Sequence, residues 1–246
     1  MNRTTRFSVS LAVLASVGGA ARLSAQQFVG YGAAEAGGLG SSLYLLGVSA
    51  SGAGLGWHPV ASVEAYRLNF RSGPGTTTSN NVFSPSIGMK YQTATAATQG
   101  RIGYSWVSSS VDIPTTVSAF PIPAESKNGV FVVAQHDYWG TGEHTGQLIG
   151  SYNFANEFLW ARGRAAKRMG APTSPVMLGG ELGFLGGGNT AGVSKTWGFF
   201  VGPMISLNTT KALKFDLSGG YRANTSTPNN ASGYAELDFV YVFPTR

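Results

Sequence analysis

The segment VFSPSIGMKYQ, Val82 to Gln92, places Phe83, Pro85, Ile87, Met89 and Tyr91 on one side of an extended chain and Ser84, Ser86, Gly88, Lys90 and Gln92 on the other. Successive side chains of a strand point to opposite faces, whereas a helix would mix these two sets on its surface. One face is large and apolar, and the other is small and polar. That is the pattern of a strand between hydrocarbon and a polar interior.

Three further segments repeat it. Gly100 to Trp106 opposes Ile102, Tyr104 and Trp106 to Arg101, Gly103 and Ser105. Leu213 to Arg222 opposes Leu213, Phe215, Leu217, Gly219 and Tyr221 to Lys214, Asp216, Ser218, Gly220 and Arg222. The last segment sets Ala235, Leu237, Phe239, Tyr241 and Phe243 against Tyr234, Glu236, Asp238, Val240 and Val242. Weaker alternation marks Phe28–Ala36, Leu43–Ala50, Pro59–Phe70, Val130–Tyr138, Gly146–Phe154, Glu157–Ala166, Val176–Phe184 and Lys195–Leu207. Together these predict an all-β chain, a single antiparallel up-and-down transmembrane β-barrel of about twelve strands, with ten as the neighbouring possibility. Turns are expected at Ser72-Gly73-Pro74-Gly75, Asn80-Asn81, Gly140-Thr141-Gly142, Gly186-Gly187-Gly188-Asn189 and Pro228-Asn229-Asn230. Ser108–Asn128, which holds Pro114, Pro121 and Pro123, reads as an extracellular loop that folds over or into the mouth.

Composition agrees. Charged residues make up 11% of the 246, against ~25% in soluble domains. Glycine, with 35 residues, and proline interrupt nearly every window in which a helix would have to form, and each interior glycine costs ~1 kcal/mol there. After the N-terminal segment no apolar run approaches the ~20 residues of a spanning helix. A soluble β-sandwich or lipocalin-like barrel shows the same alternation turned inside out, but its outer face would carry protective Lys and Glu where this chain has Gly and Ser. The chain has no cysteine, which excludes disulfides, thiolate metal sites and lipid attachment at a cysteine.

Arg3 and Arg6 followed by the short apolar stretch Phe7 to Ala21 form a secretory leader, with Leu23-Ser24-Ala25 as the cleavage site. The expected organisation is a signal peptide over residues 1–25 and an outer-membrane barrel over residues 26–246. The formal charge of +6 includes Arg3, Arg6 and Arg22, which leave with the leader, and the remaining basic residues are scattered. Apart from Arg162, Arg164, Lys167 and Arg168 they form no cluster, so no nucleic-acid partner is expected.

In that phase the inward charges are Glu64, Lys90, Arg101, Arg162, Arg164, Glu181, Lys214, Asp216, Arg222, Glu236 and Asp238, because Arg or Lys facing lipid costs ~2–4 kcal/mol at the midplane. Two readings of this mixed lumen stay open: charges that pair and hold the barrel shut, or a polar constriction that selects solutes. Tyr91, Trp106, Tyr138, Trp139, Tyr152, Trp160, Trp197, Tyr221 and Tyr241 fall near strand ends, where interfacial girdles form. Catalytic residues are not expected. His136 and Asp137 are adjacent and so point to opposite faces, and His144, near Ser151, lies at a turn. Three scattered histidines make no metal site, and Gly186–Gly192 lacks the Lys and Ser/Thr of a phosphate loop. No cofactor is expected.

Leu148-Ile149-Gly150-Ser151-Tyr152, Trp160-Ala161-Arg162-Gly163-Arg164, Gly179-Gly180-Glu181 with Leu182 to Gly186, and Gly219-Gly220-Tyr221 resemble the BcsS family, the cellulose-biosynthesis outer-membrane barrels. The resemblance covers roughly Leu148 to Tyr221, and Gly179-Gly180-Glu181 stands where the family tends to have Gly-Pro-Glu. It implies a channel-like accessory to exopolysaccharide production, with Arg162, Arg164 and Glu181 at recurrent family positions.

The expectation is therefore an outer-membrane barrel that acts as a channel or accessory for envelope polysaccharide export. Its expected partners are outer-membrane lipid, the assembly machinery that reads the terminal aromatic strand, and polysaccharide-export components. A structural or adhesive barrel with a plugged lumen and a lipid-modifying barrel enzyme are the alternatives. Intact-mass measurement of the exported protein should show a chain starting near Gln26; retention of Met1 to Ala25 would overturn the leader reading.

Overall fold

The computed structural model describes residues 26–38, 41–73, 76–112, 125–140, 142–187, 196–210, 212–224 and 231–244. In chain order the strands are β1 (Gln26–Gly37), β2 (Ser42–Gly52), β3 (Gly56–Gly73), β4 (Thr76–Gln92), β5 (Ala96–Asp112), β6 (Glu125–Tyr138), β7 (His144–Asn153), β8 (Phe158–Arg168), β9 (Val176–Gly187), β10 (Thr196–Asn208), β11 (Leu213–Asn224) and β12 (Ala231–Val242). Each pairs antiparallel with the next, and β12 returns to β1, with Val29 opposite Val242 and Gly37 opposite Tyr234. The barrel is closed, so no strand edge is left to meet lipid unpaired.

An even strand number brings Gln26 and Val242 to the same end. The turns there are short, at 53–55, 93–95, 139–143, 169–175 and 209–212. Gly140 and Gly142 make one of them with φ of 49° and 89°, a region that side-chain-bearing residues avoid. At the opposite end β3, β4 and β5, with 18, 17 and 17 residues, run past their neighbours and form a taller wall.

The alternation sorts the side chains as its phase requires. Ile87, Ile102, Leu148, Leu182 and Leu217 stand on the outer surface, 54–68% exposed. Ser62, Ser84, Ser86, Ser105, Ser206 and Ser218 line the interior and are buried. The polar core is therefore the lumen; among the described residues the apolar side chains buried with it include Val107, Phe131, Val133 and Phe200 and one cluster of Ala166, Met177 and Met204. Toward the terminal end the outer belt carries Trp57 against Tyr91 and Tyr241 against Phe243. Toward the other end it carries Phe83 with Trp106, Tyr152 with Phe154, Phe184 with Trp197 and Phe199 with Tyr221. These are two interfacial girdles around an apolar band.

The structure departs from the sequence reading in five places. His144 is not in a turn: it opens β7, paired with Lys167 on β8. Asn80-Asn81 is not a turn: both lie within β4, paired with Leu68 and Arg67 on β3. The unalternating stretch from Ser108 is not all loop, since β5 continues to Asp112 and β6 begins at Glu125. Gly186 and Gly187 end β9 as paired residues, with Gly186 under the Trp197 ring. Trp160 does not join a girdle; its ring lies beneath the Arg162 guanidinium, 5.2 Å from the centroid, on the lumen face of β8. The leader, Pro114, Pro121, Pro123, Gly188-Asn189 and Pro228-Asn229-Asn230 lie outside the described residues.

Leu182 is 65% exposed in the apolar band. Leu182→Arg should lower folding stability by about 2–4 kcal/mol in a urea titration in lipid, and more than Leu182→Ala does. Equal costs for the two would mean that this surface does not face hydrocarbon.

Candidate functional site

The eleven charged residues assigned to the lumen by alternation all sit on the inner wall, and the structure sorts them into groups. The largest centres on β8. Arg162 and Arg164 are two residues apart and so share the inner face. Arg164 meets Glu181 at 2.6 Å, its direct cross-strand partner on β9. It also reaches Asp238 at 2.5 Å, Glu236 at 3.4 Å and Asp216 at 3.6 Å. Arg162 meets Glu236 at 2.7 Å and Asp238 at 3.6 Å and donates to Gln147 Oε1 at 3.4 Å. Glu236 and Asp238 belong to β12, with β9, β10 and β11 between them and β8, so these contacts cross the lumen rather than follow its wall.

Register explains why the bridge forms. Asp216 on β11 is the direct partner of Asp238 on β12, and Glu35 on β1 is the direct partner of Glu236. Like charges directly opposite one another destabilise a sheet. This stretch of wall thus carries four crowded carboxylates and needs cations from elsewhere. Arg162 and Arg164 supply them from across the lumen, Lys214 adds a contact to Asp216 at 3.0 Å, and Arg222 holds Glu35. Ser206 and Tyr234 complete the polar shell, donating to Asp216 and, at 2.8 Å, to Glu181. The Arg222 guanidinium also lies 5.4 Å from both the Phe200 and Tyr234 rings. The Arg164 side chain is 5% exposed and that of Glu181 0%, so the lumen is narrow at this level.

A second group occupies the β1 to β5 wall. Arg101 meets Glu64 at 2.8 Å and donates to Ser86 Oγ at 3.2 Å. Tyr31 Oη donates to Glu64 at 2.6 Å and lies 2.9 Å from Ser62 Oγ. The Tyr31 ring reaches Glu64 by lying across Gly47, its partner on β2; a Cβ there would sit 2.5 Å from the ring. Lys90 stands apart, donating to Ser51 at 2.8 Å and Gln27 at 3.4 Å.

Alternation alone did not single out Tyr31, Glu35, Asp137 or Tyr234 as contributors. Glu35 lies in Ala33-Ala34-Glu35-Ala36, where similar small neighbours hide the phase. Asp137 points inward and accepts from Gln135 at 2.7 Å and Gln147 at 2.9 Å. His136 points outward, 2.8 Å from Thr98 Oγ1, so this His-Asp pair is split by the sheet. Among the described residues no group of three His, Asp or Glu is placed to hold a metal.

No family model and no curated protein matches the sequence. Solved structures do. The β domain of the Bordetella autotransporter BrkA is similar over 89% of this chain and 99% of its own, with a TM-score of 0.56 at 11% identity. The translocator domain of the autotransporter NalP from Neisseria meningitidis is similar over 97% and 96%, with a TM-score of 0.49 at 9% identity. The KdgM porin is similar over 88% and 99%, with a TM-score of 0.49 at 13% identity. At such identities the likeness to BrkA concerns the fold, a membrane β-barrel of the outer-membrane type.

Arg164→Ala leaves its carboxylates without their shared cation and should cost about 3–5 kcal/mol of stability in urea refolding. Adding Glu181→Gln and Asp238→Asn to that variant should recover part of the loss. No recovery would mean that Arg164 acts by packing rather than by charge.

Proposed function

We propose that this chain is an exported outer-membrane channel of narrow bore that serves as an accessory to envelope polysaccharide export. The observation that carries the channel reading is the cross-lumen bridge from Arg162 and Arg164 to Glu236 and Asp238 within a polar interior. Eight strands enclose a lumen that side chains fill, and sixteen or more leave an open aqueous channel. Twelve lies between, and here charged side chains rather than an inserted domain occupy the middle among the described residues. Such a bridge is polar, reversible and confined to one level, which suits a constriction. Solute would pass where the bridge loosens, and the surplus of carboxylates on the β11 and β12 wall favours cations.

The polysaccharide part of the reading is supported by the BcsS resemblance. Of the residues that resemblance singled out, Arg164 meets Glu181, and Arg162 shares Glu236 and Asp238 with Arg164. The proposal gives the chain no catalytic role. It gives it outer-membrane lipid as solvent, the assembly machinery as the reader of its terminal strand, and polymer-export components as partners.

A barrel with a sealed lumen is the second reading, favoured by how completely Arg164 is surrounded by carboxylates. Planar-bilayer recording separates the two. Small, short-lived, cation-preferring openings are expected from the wild type, with larger and longer ones from Arg162→Ser/Arg164→Ser. Silence from both proteins would leave the sealed barrel. Altered lipid A or phospholipid on expression would instead favour the lipid-modifying alternative.

A further inference from the structure

Every glutamine in the chain lies at one end of the barrel. Gln26 and Gln27 open β1, Gln92 closes β4, and Gln99, Gln135 and Gln147 stand within four residues of the terminal-side ends of β5, β6 and β7. Gln27, Gln92, Gln99, Gln135 and Gln147 all fall on the lumen face and are all partly exposed, in contrast to the buried Arg164, Glu181 and Glu236 of the bridge one level further in. Gln99 pairs directly with Gln135 across β5 and β6, and Asp137 pairs directly with Gln147 across β6 and β7.

These pairs make a continuous ladder. Gln99 Nε2 donates to Gln135 Oε1 at 2.8 Å, Gln135 Nε2 to Asp137 Oδ2 at 2.7 Å, and Gln147 Nε2 to Asp137 Oδ1 at 2.9 Å. Gln147 Oε1 accepts from Arg162, which ties the ladder to the bridge. The ladder uses one N–H of each amide, and every primary amide has a second. Further round the same rim, an open hollow of about 340 Å³ is lined by Gln27 and Gln92 with Ala53, Gly54, Ala212, Val242, Phe243 and Pro244. That volume falls in the ~300–1,000 Å³ range of small-molecule sites.

From this we infer that the terminal-side mouth is a binding collar for an uncharged, polyhydroxylated chain, a neutral glycan. The inference rests on the channel reading and names the class of ligand that would meet the bridge from this side. A hydroxyl is donor and acceptor at once, and a row of amides offers both, without charge, at the 4.7–4.9 Å spacing of neighbouring strands. An anionic glycan would need unpaired cations here. The lumen-side cations of this rim are already engaged, Lys90 by Ser51 and Gln27, Lys214 by Asp216 and Arg168 by the Gly142 and Ser174 carbonyls, and Asp137 sits in the centre of the ladder. An extended peptide would bind best by adding to a sheet edge, and a closed barrel has none.

Saturation-transfer NMR on the folded barrel in detergent micelles tests this without requiring conductance. Maltohexaose is the neutral probe, hexagalacturonate the anionic one and a hexa-alanine peptide the third. Transfer to maltohexaose is expected at millimolar affinity and at least tenfold weaker to the other two. Gln99→Ala/Gln135→Ala/Gln147→Ala should weaken the neutral glycan at least tenfold while the barrel keeps its heat-modifiable migration. If the triple variant does not fold, the comparison of the three probes on the wild type decides. No transfer to maltohexaose, stronger transfer to hexagalacturonate or the peptide, or an unaffected triple variant would each overturn the collar. A barrel silent in bilayers that still binds maltohexaose sinks the channel and keeps the collar; a conducting barrel that does not bind it does the reverse.

Discussion

Hydrocarbon offers no hydrogen bonds, so a chain that crosses it must satisfy every backbone N–H and C=O from within. In this protein the pairing of β1 with β12 meets that demand for both ends of the sheet at once. Everything else follows from closure. Once the sheet is a cylinder, each strand has one face toward lipid and one toward a confined aqueous space, and the two-residue period becomes a partition between solvents. Ile87 and Ser86 are neighbours in sequence and belong to different phases.

Confinement also explains the character of the interior. A soluble core is held by apolar contacts, whereas this one is held by ion pairs and hydroxyl groups, with Arg164 among carboxylates from β9, β11 and β12. Buried pairs of this kind contribute little net stability against an apolar alternative, because desolvation offsets the attraction. Their geometry is specific, however. Two like-charged pairs fixed by register, Asp216 with Asp238 and Glu35 with Glu236, oblige cations to arrive from particular strands. The same crowding of carboxylates that would weaken an isolated hairpin directs the arginines of β8 across the bore.

Much of this was legible in the residues. The strands β4, β5, β11 and β12 declare themselves because large apolar and small or polar groups alternate over their central residues, as in Phe83–Gln92, Arg101–Trp106, Leu213–Ser218 and Ala235–Phe239. The inward placement of Arg101, Glu181 or Asp216 follows from phase alone. Pairing does not. That Arg162 should meet Glu236 depends on the stagger accumulated over four strand pairs, and no local pattern encodes it. Asn80-Asn81 misled because asparagine favours turns in general, and in β4 the longer pairing with β3 and β5 overrode that preference. Trp160 misled because aromatic rings near strand ends usually face lipid; here the ring shares its face with Arg162 and stacks under it.

The uneven strand lengths give the cylinder a direction within the plane of the membrane. A bilayer has one thickness, yet β3 has 18 residues where β7 has 10, a surplus of roughly 25 Å of chain at ~3.3 Å per residue. Along that surplus the outward side chains change from Ile87 and Ile102 to Asn81, Ser108 and Ser110, so the extra height belongs in water. A neighbour diffusing alongside meets a polar parapet on one flank and a low sill on the other. Rotation about the membrane normal, which is immaterial for a round pore, therefore decides what this molecule shows to whatever drifts past it.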